Sequence, residues 1–330
     1  MKVKFWGVRG SLPKPMSTET YQQKLAKALV ASQDVSFNTP EEIVEFSKRL
    51  APQLRRIVGG NTPCVEVYTK DGELLILDAG SGIREVGHML VKSAKNDEKA
   101  NKQIHILFSH THWDHIMGFP FFIPLYQKDW EVFCYGGHKD LEERLRNQHD
   151  PRNFPVSFDA FVPKIHVEHI PLLEPRLING FMVTAGLLDH PGDSFAYRIE
   201  HNGEAVVYAT DGAFADEEKI GQLCNAGFFK NADAIIFDSM LTYHEAVTVK
   251  RDWGHSAAAI GVDFCLREGI KRLVLFHHNP DNDDDRLFNM LEETTMYLKN
   301  KAPNSKLQID LACESWEFPV KPEIIPDKSH

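Results

Sequence analysis

Six residues constrain this chain more than any others: His110, Thr111, His112, Trp113, Asp114 and His115, which follow the apolar run Ile104–Phe108 after one serine, Ser109. Three imidazoles and a carboxylate in so short a stretch form a dense set of metal donors. Nitrogen and carboxylate ligands together suit zinc and comparable divalent ions, whereas magnesium and calcium favour all-oxygen sites. Buried without an ion, such groups would be desolvated and would repel one another. The segment holds no cysteine, which disfavours a structural zinc knot.

The same arrangement recurs downstream. Val206–Ala209 runs into Thr210, Asp211 and Gly212; Arg272–Phe276 runs into His277 and His278; Leu187 and Leu188 precede Asp189 and His190. Each cluster stands at or just past the end of an apolar run, where a rigid strand end can aim a ligand. Together these donors exceed what one tetrahedral ion accepts, so the pattern suggests two metals. The isolated His105, His166, His169 and His201 read instead as hydrogen-bonded core or surface histidines.

Further strands are expected at Cys64–Thr69, Leu74–Leu77, Glu131–Tyr135, Phe181–Ala185, Phe195–Ile199 and Ala234–Phe237. Helices are expected at Lys139–Asn147 and Ser256–Glu268, the latter with Ala257, Ile260, Gly261, Phe264 and Cys265 on one stripe. Strands mixed with helices along the whole chain predict an α/β (α+β) layered fold, read as one domain over 1–330. Residues 14–58 break the strand pattern with helical runs at Tyr21–Ala31 and Pro40–Leu50 and read as a helical insertion. The Pro- and Lys-rich end, about 319–330, reads as an extended tail.

The net charge of −10 argues against a long nucleic-acid partner, which would call for a basic footprint. The five cysteines, at 64, 134, 224, 265 and 313, form no C-x-x-C pair and suggest a reducing compartment. With no apolar leader segment and no stretch near the roughly 20 apolar residues of a membrane span, a cytoplasmic location and no membrane partner are expected.

At these motifs the chain resembles the metallo-β-lactamase superfamily, whose H-x-H-x-D-H signature stands here as His110, His112, Asp114 and His115. The likeness runs from Phe5–Ser11 to about Arg286, the insertion apart. It implies a four-layer αβ/βα sandwich with two divalent ions, zinc first and manganese or iron as alternatives, at one edge between the sheets. One ion would be held by His110, His112 and His190, the other by Asp114, His115 and His277, with Asp211 bridging. Asp78, in Leu-Asp-Ala-Gly, resembles the family's structural aspartate, orienting ligands from behind.

Within the superfamily, Asp211 at the bridging position and the run Trp253, Gly254, His255, Ser256, 22 residues before His277, resemble the phosphodiesterase branch: transfer-RNA 3′-processing nucleases and cyclic-phosphate phosphodiesterases. No long glycine-rich basic arm is present. The resemblance therefore implies a small phosphodiester substrate, with cyclic nucleotides or other cyclic phosphates as the leading class. Two ions sharing a water would activate it, and His255 would act as general acid. Asp238 would orient His255, and Asp114 counts both as a ligand and in the catalytic set. The resemblance also implies a homodimer. The competing readings are a transfer-RNA-processing-like ribonuclease, a lactone or thioester hydrolase, and a non-catalytic binding module. Ser256 is expected to cap the following helix, His278 to support the site or face substrate, Arg9 and Asn61 to lie near the site, and Asn279–Asp285 to be a solvated acidic loop.

Overall fold

Apolar runs of four to eight residues become strands here because both faces of each sheet are covered, so the strands read as continuous rather than alternating. A computed structural model describes residues 1–96, 100–214, 217–248 and 253–321, with the side chains of 217–219 outside that description. The first sheet contains β1 (Lys2–Gly7), β2 (Cys64–Tyr68), β3 (Leu74–Leu77), β4 (Gln103–Phe108), β5 (Glu131–Gly136) and β6 (Lys164–His169). The second contains β7 (Arg176–Ile178), β8 (Phe181–Leu188), β9 (Ser194–His201), β10 (Glu204–Ala209), β11 (Ala234–Asp238), β12 (Arg272–Phe276) and β13 (Gln308–Leu311). Finally β14 (Glu317–Pro319) returns to the first sheet beside β1, giving seven strands in each.

The two sheets share one plan. Strands β3 to β6 run parallel and are extended antiparallel by β2, β1 and β14. Strands β10 to β13 run parallel and are extended antiparallel by β9, β8 and β7. Between the sheets lie Phe5, Val67, Leu107, Val183, Tyr197, Tyr208 and Phe276 in one apolar core. Each such side chain contributes about 1.5–3 kcal/mol by leaving water.

Helices cover the outer faces and complete four layers. On the first sheet lie α4 (Ile83–Asn96) and α6 (Leu141–Gln148), packing Ile83, Val86, Leu141 and Leu145 onto Ile76, Ile106 and Phe108. On the second lie α7 (Glu217–Asn225), α9 (Ala258–Glu268) and α10 (Asp284–Lys301). Helix α9 buries the expected stripe through Gly261, Phe264 and Cys265, and ends on Gly269 at φ 72°, a left-handed stop that glycine adopts without strain. Among the described residues the remaining α-helices are the short α5 (Trp113–Ile116) and α8 (Tyr243–Val247), and the trio α1 (Thr18–Ala31), α2 (Pro40–Arg49) and α3 (Pro52–Arg55) within residues 14–58. No residue of α1, α2 or α3 is buried. No described helix is long and apolar enough to cross a membrane.

Three expectations are corrected. The acidic run ending at Asp285 is not wholly a solvated loop, because Asp284 is buried and opens α10. Its carboxylate meets Lys24 Nζ at 2.8 Å, Arg9 Nη2 at 3.5 Å and the Val58 amide at 3.4 Å. The tail begins later than 319, because Pro319 pairs with Lys2 and Val320 donates its amide to the Met1 carbonyl; residues 322–330 lie outside the described residues. Helix α9 begins at Ala258 with Ala257 as its cap, so Ser256 is free for another task.

Candidate metal centre

Parallel strands place their carboxyl ends at one edge of a sheet, and the loops leaving that edge are where open α/β sheets bind ligands. Here both sheets bring such ends together. Asp78 follows β3, His110 follows β4, Asp211 follows β10, Asp238 ends β11 and His277 follows β12. Asp78, Asp211 and His277 all leave their strands in the left-handed region, at φ 60°, 52° and 57°. Such backbone is costly for non-glycine residues and persists where surrounding bonds over-determine it.

Asp78 shows how. Its fully buried carboxylate accepts hydrogen bonds at 2.7 Å from the Ser109 amide, Ser109 Oγ, His115 Nδ1 and the Tyr208 hydroxyl. His115 is therefore pinned through Nδ1, and its Nε2 turns to the cluster. His190 is held likewise, donating from Nδ1 to the Gly254 carbonyl at 3.0 Å. A Cβ on Gly254 would lie 2.4 Å from His190 Nδ1, so only glycine permits this approach.

Four overlapping clusters of possible donors form among the described residues, and two of them match the expected ligand sets. His110, His112 and His190 bring ligand atoms within 4.8 Å of one another, with His112 Nδ1 3.1 Å from His190 Nε2. Asp114 Oδ2, His115 Nε2 and His277 Nε2 form a triangle with sides of 3.2–3.3 Å. Asp211 stands between the groups: Oδ2 is 3.1 Å from His115 Nε2 and 3.3 Å from His277 Nε2, while Oδ1 is 4.0 Å from His190 Nε2. Donors about 2.0–2.1 Å from one tetrahedral ion lie roughly 3.3 Å apart, which is the spacing of the triangle. His110 Nε2 is buried with no hydrogen-bond partner, as a nitrogen facing a cation would be. The donor set thus fits divalent metal ions.

The charges reinforce this reading. Burial alone would lower the pKa of His115, but Asp114, Asp211 and Asp78 outweigh it and hold it well above the ordinary value. Burial would raise Asp211, yet His277 and His115 pull it well below the carboxylate range; Asp114 is lowered in the same way by His115 and His277. His110, His112 and His190 are lowered, chiefly by burial, and so are neutral and ready to coordinate.

His255 joins the group through Asp238. Its Nδ1 donates to Asp238 Oδ2 at 2.7 Å, and its ring lies 5.3 Å from those of His190 and His277. The same carboxylate accepts from the amides of Asp211, Met240 and Ser256. Burial works against protonation of His255, but Asp238 prevails and raises its pKa to about 9. Ser256 does not cap α9: its Oγ donates to the Gly212 carbonyl at 2.7 Å and accepts from the Phe214 amide at 2.9 Å, tying the loop after Asp211 to the His255 loop.

Other sequence expectations fare differently. His278 turns away from the donors, giving Nε2 to the Ala312 carbonyl at 2.9 Å, and burial pushes its pKa down to about 3. Arg9 is spent on the Gly59 and Asn282 carbonyls and on Asp284, and Asn61 on Glu314 and Ser81. Both buttress loops. Their neighbours reach the site instead: the Ser11 amide donates to Asp114 Oδ2 at 2.7 Å, and a Cβ on Gly10 would lie 2.5 Å from His277 Cε1. Sequence reasoning passed over Ser11, Ser109 and Tyr208. Only the Val-Arg-Gly-Ser run hinted at the first, and nothing local marks Tyr208.

A family model described as a beta-lactamase superfamily domain matches residues 74–278. Comparison with curated proteins finds no match. Solved structures of similar shape include the metallo-beta-lactamase fold protein YhfI from Bacillus subtilis, at 16% identity and TM-score 0.59 over 96% of this chain and 98% of that one. A diphosphatase from the PhnP family shares 17% identity at TM-score 0.56, over 96% of this chain and 97% of its own. The short form of human tRNase Z shares 17% identity at TM-score 0.56, over 98% and 100%. At such identities the likeness concerns the fold.

Proposed function

The chain belongs to the beta-lactamase superfamily, and from that premise we propose that it is a metal-dependent phosphodiesterase acting on a small phosphodiester, a cyclic nucleotide or other cyclic phosphate. Family membership and the His/Asp donor set support a metal-dependent hydrolase at the coarser level. The finer reading is carried by one observation: His255, oriented by Asp238, faces into a donor set that has Asp211 at its middle.

In this reading His110, His112 and His190 would hold one ion and Asp114, His115 and His277 another, with Asp211 lying between the two donor groups. Zinc is the first choice, with manganese or iron as alternatives. When bound, divalent ions lower the pKa of a water and offset charge on phosphoryl oxygens. The chain supplies the rest. With Nδ1 committed to Asp238, His255 has Nε2 to offer the departing alkoxide, and the Asp238 carboxylate favours the protonated ring, the state a proton donor needs. Asp238, anchored by three backbone amides, holds the ring in that orientation. The net charge of −10 favours a small substrate over a long polyanion.

The test is His255→Ala, with metal content measured alongside. Metal should be retained, while turnover of a cyclic nucleotide falls roughly 10²–10⁴-fold, the usual worth of a general acid. An activated aryl phosphodiester, whose leaving group needs no proton, should lose far less. Equal losses on both would rule out the acid role. A turnover screen of the metal-loaded protein against 3′,5′- and 2′,3′-cyclic nucleotides, a dinucleotide, an RNA and a lactone separates the phosphodiester reading from ribonuclease and lactone-hydrolase activity.

A further inference from the structure

Two largely exposed indoles flank residues of this centre along the chain. Trp113 is 82% exposed and Trp253 is 56% exposed. Trp113 lies between His112 and Asp114, at the start of α5, whose other three residues are buried. The metal chemistry asks nothing of this position, since the ligands on either side need only the spacing. Trp253 precedes Gly254, whose carbonyl holds His190, and lies two residues before His255. His112 and His190 themselves meet at 3.1 Å. Both indoles therefore leave the backbone within one or two residues of the same end of the donor set.

Tryptophan carries the largest apolar surface of any side chain and is rarely left so open. A ring next to a centre that gripped a phosphate would serve as a stacking platform, which accepts any planar group and reads no hydrogen-bond pattern. The two indoles stand on separate segments, Trp113 at the start of α5 and Trp253 just before Gly254, and planar rings suit a flat group better than an acyl chain. Resting on the phosphodiesterase reading above, we propose that Trp113, with Trp253 in support, stacks the planar ring of the substrate's organic group. The substrate class is then a nucleobase-bearing phosphodiester rather than an aliphatic one.

The test compares adenosine 2′,3′-cyclic phosphate with glycerol 1,2-cyclic phosphate in the wild type, Trp113→Ala, Trp113→Phe and Trp253→Ala. Trp113→Ala should raise the ratio of KM(nucleotide) to KM(glycerol) roughly 5- to 150-fold, the span of base–aromatic stacking. Trp113→Phe should restore most of it, and Trp253→Ala should change it less. An unchanged ratio overturns the proposal while leaving the phosphodiesterase reading intact. Turnover of neither compound would instead count against that reading. Stacking is then judged by titrating the wild type and Trp113→Ala with adenosine and following indole fluorescence. Quenching that is lost in Trp113→Ala supports the platform, and no quenching overturns it. Sedimentation showing a dimer that Trp113→Ala dissociates would also overturn it, by giving the indole to a second copy of the chain.

Discussion

The strand-end centre and the α1–α3 segment are built on opposite principles. Around the centre the donors other than His112 are buried, and Nδ1 of His115, His190 and His255 is in each case tied to a carboxylate or carbonyl. Across α1, α2 and α3 no residue is buried. That segment is tied to the body by Lys24 on Asp284 and by Lys27 on Asp285, and Phe37 and Phe46 pack on each other at 5.3 Å. A site that must present several donors to common points needs strand ends and a second layer of bonds. A surface helical segment needs neither. The same composition of charged and apolar residues therefore carries very different energetic weight in the two regions.

Changing the centre and then the helices should expose that difference in steps. Asp211→Ala should have the largest effect: bound metal should fall towards one equivalent or none, a loss beyond the roughly 10–100-fold in affinity that a supporting residue costs. Elemental analysis finding two retained metals would break the assignment of Asp211 to both groups. Asp78→Ala comes next, because it leaves His115 Nδ1, Ser109 and Tyr208 without their acceptor. A loss of about 3–5 kcal/mol in metal-free stability is expected from chemical denaturation. Lys24→Ala removes one partner of the buried Asp284 but leaves Arg9, so about 1–2 kcal/mol is expected in the same experiment. Leu29→Ala, in the open face of α1, should stay within about 0.5 kcal/mol. A loss above roughly 1.5 kcal/mol there would mean that something covers α1, and the contrast drawn above would fail.

Much of the centre was legible because its signals are local. His110, His112, Asp114 and His115 lie within six residues, and His190, Asp211 and His277 each follow an apolar run. Strand cores such as Leu74–Leu77 and Arg272–Phe276 were readable to the residue, since both faces are buried and the runs are unbroken. Helices α4 and α10 were not. The apolar stripe of α4 follows a glycine-rich turn that reads as loop, and α10 opens on an acidic run that reads as solvated although its Asp283 caps the helix. The edge strands β7, β13 and β14, only three or four residues long, carry too little pattern to be seen.

His278 marks where such reading ends. It stands next to a donor and has the same chemistry, yet successive residues leaving a strand point to opposite sides, and its ring is claimed by Ala312 on a neighbouring chain segment. Ser11 is the converse, unremarkable in sequence and in contact with Asp114 across more than a hundred residues. What the amino-acid sequence determined by itself was the donor chemistry and the strand ends that carry it, because residue type and hydrophobic period are local properties. Which atoms meet was decided only by the tertiary structure: Asp78 reaches Tyr208 and Asp211 comes between two donor groups because one sheet packs on the other, while Asp78 meets His115 and Asp238 meets His255 through loops of the same sheet. Those contacts join segments far apart in the chain, and a one-residue change of side would undo them without altering a single local signal.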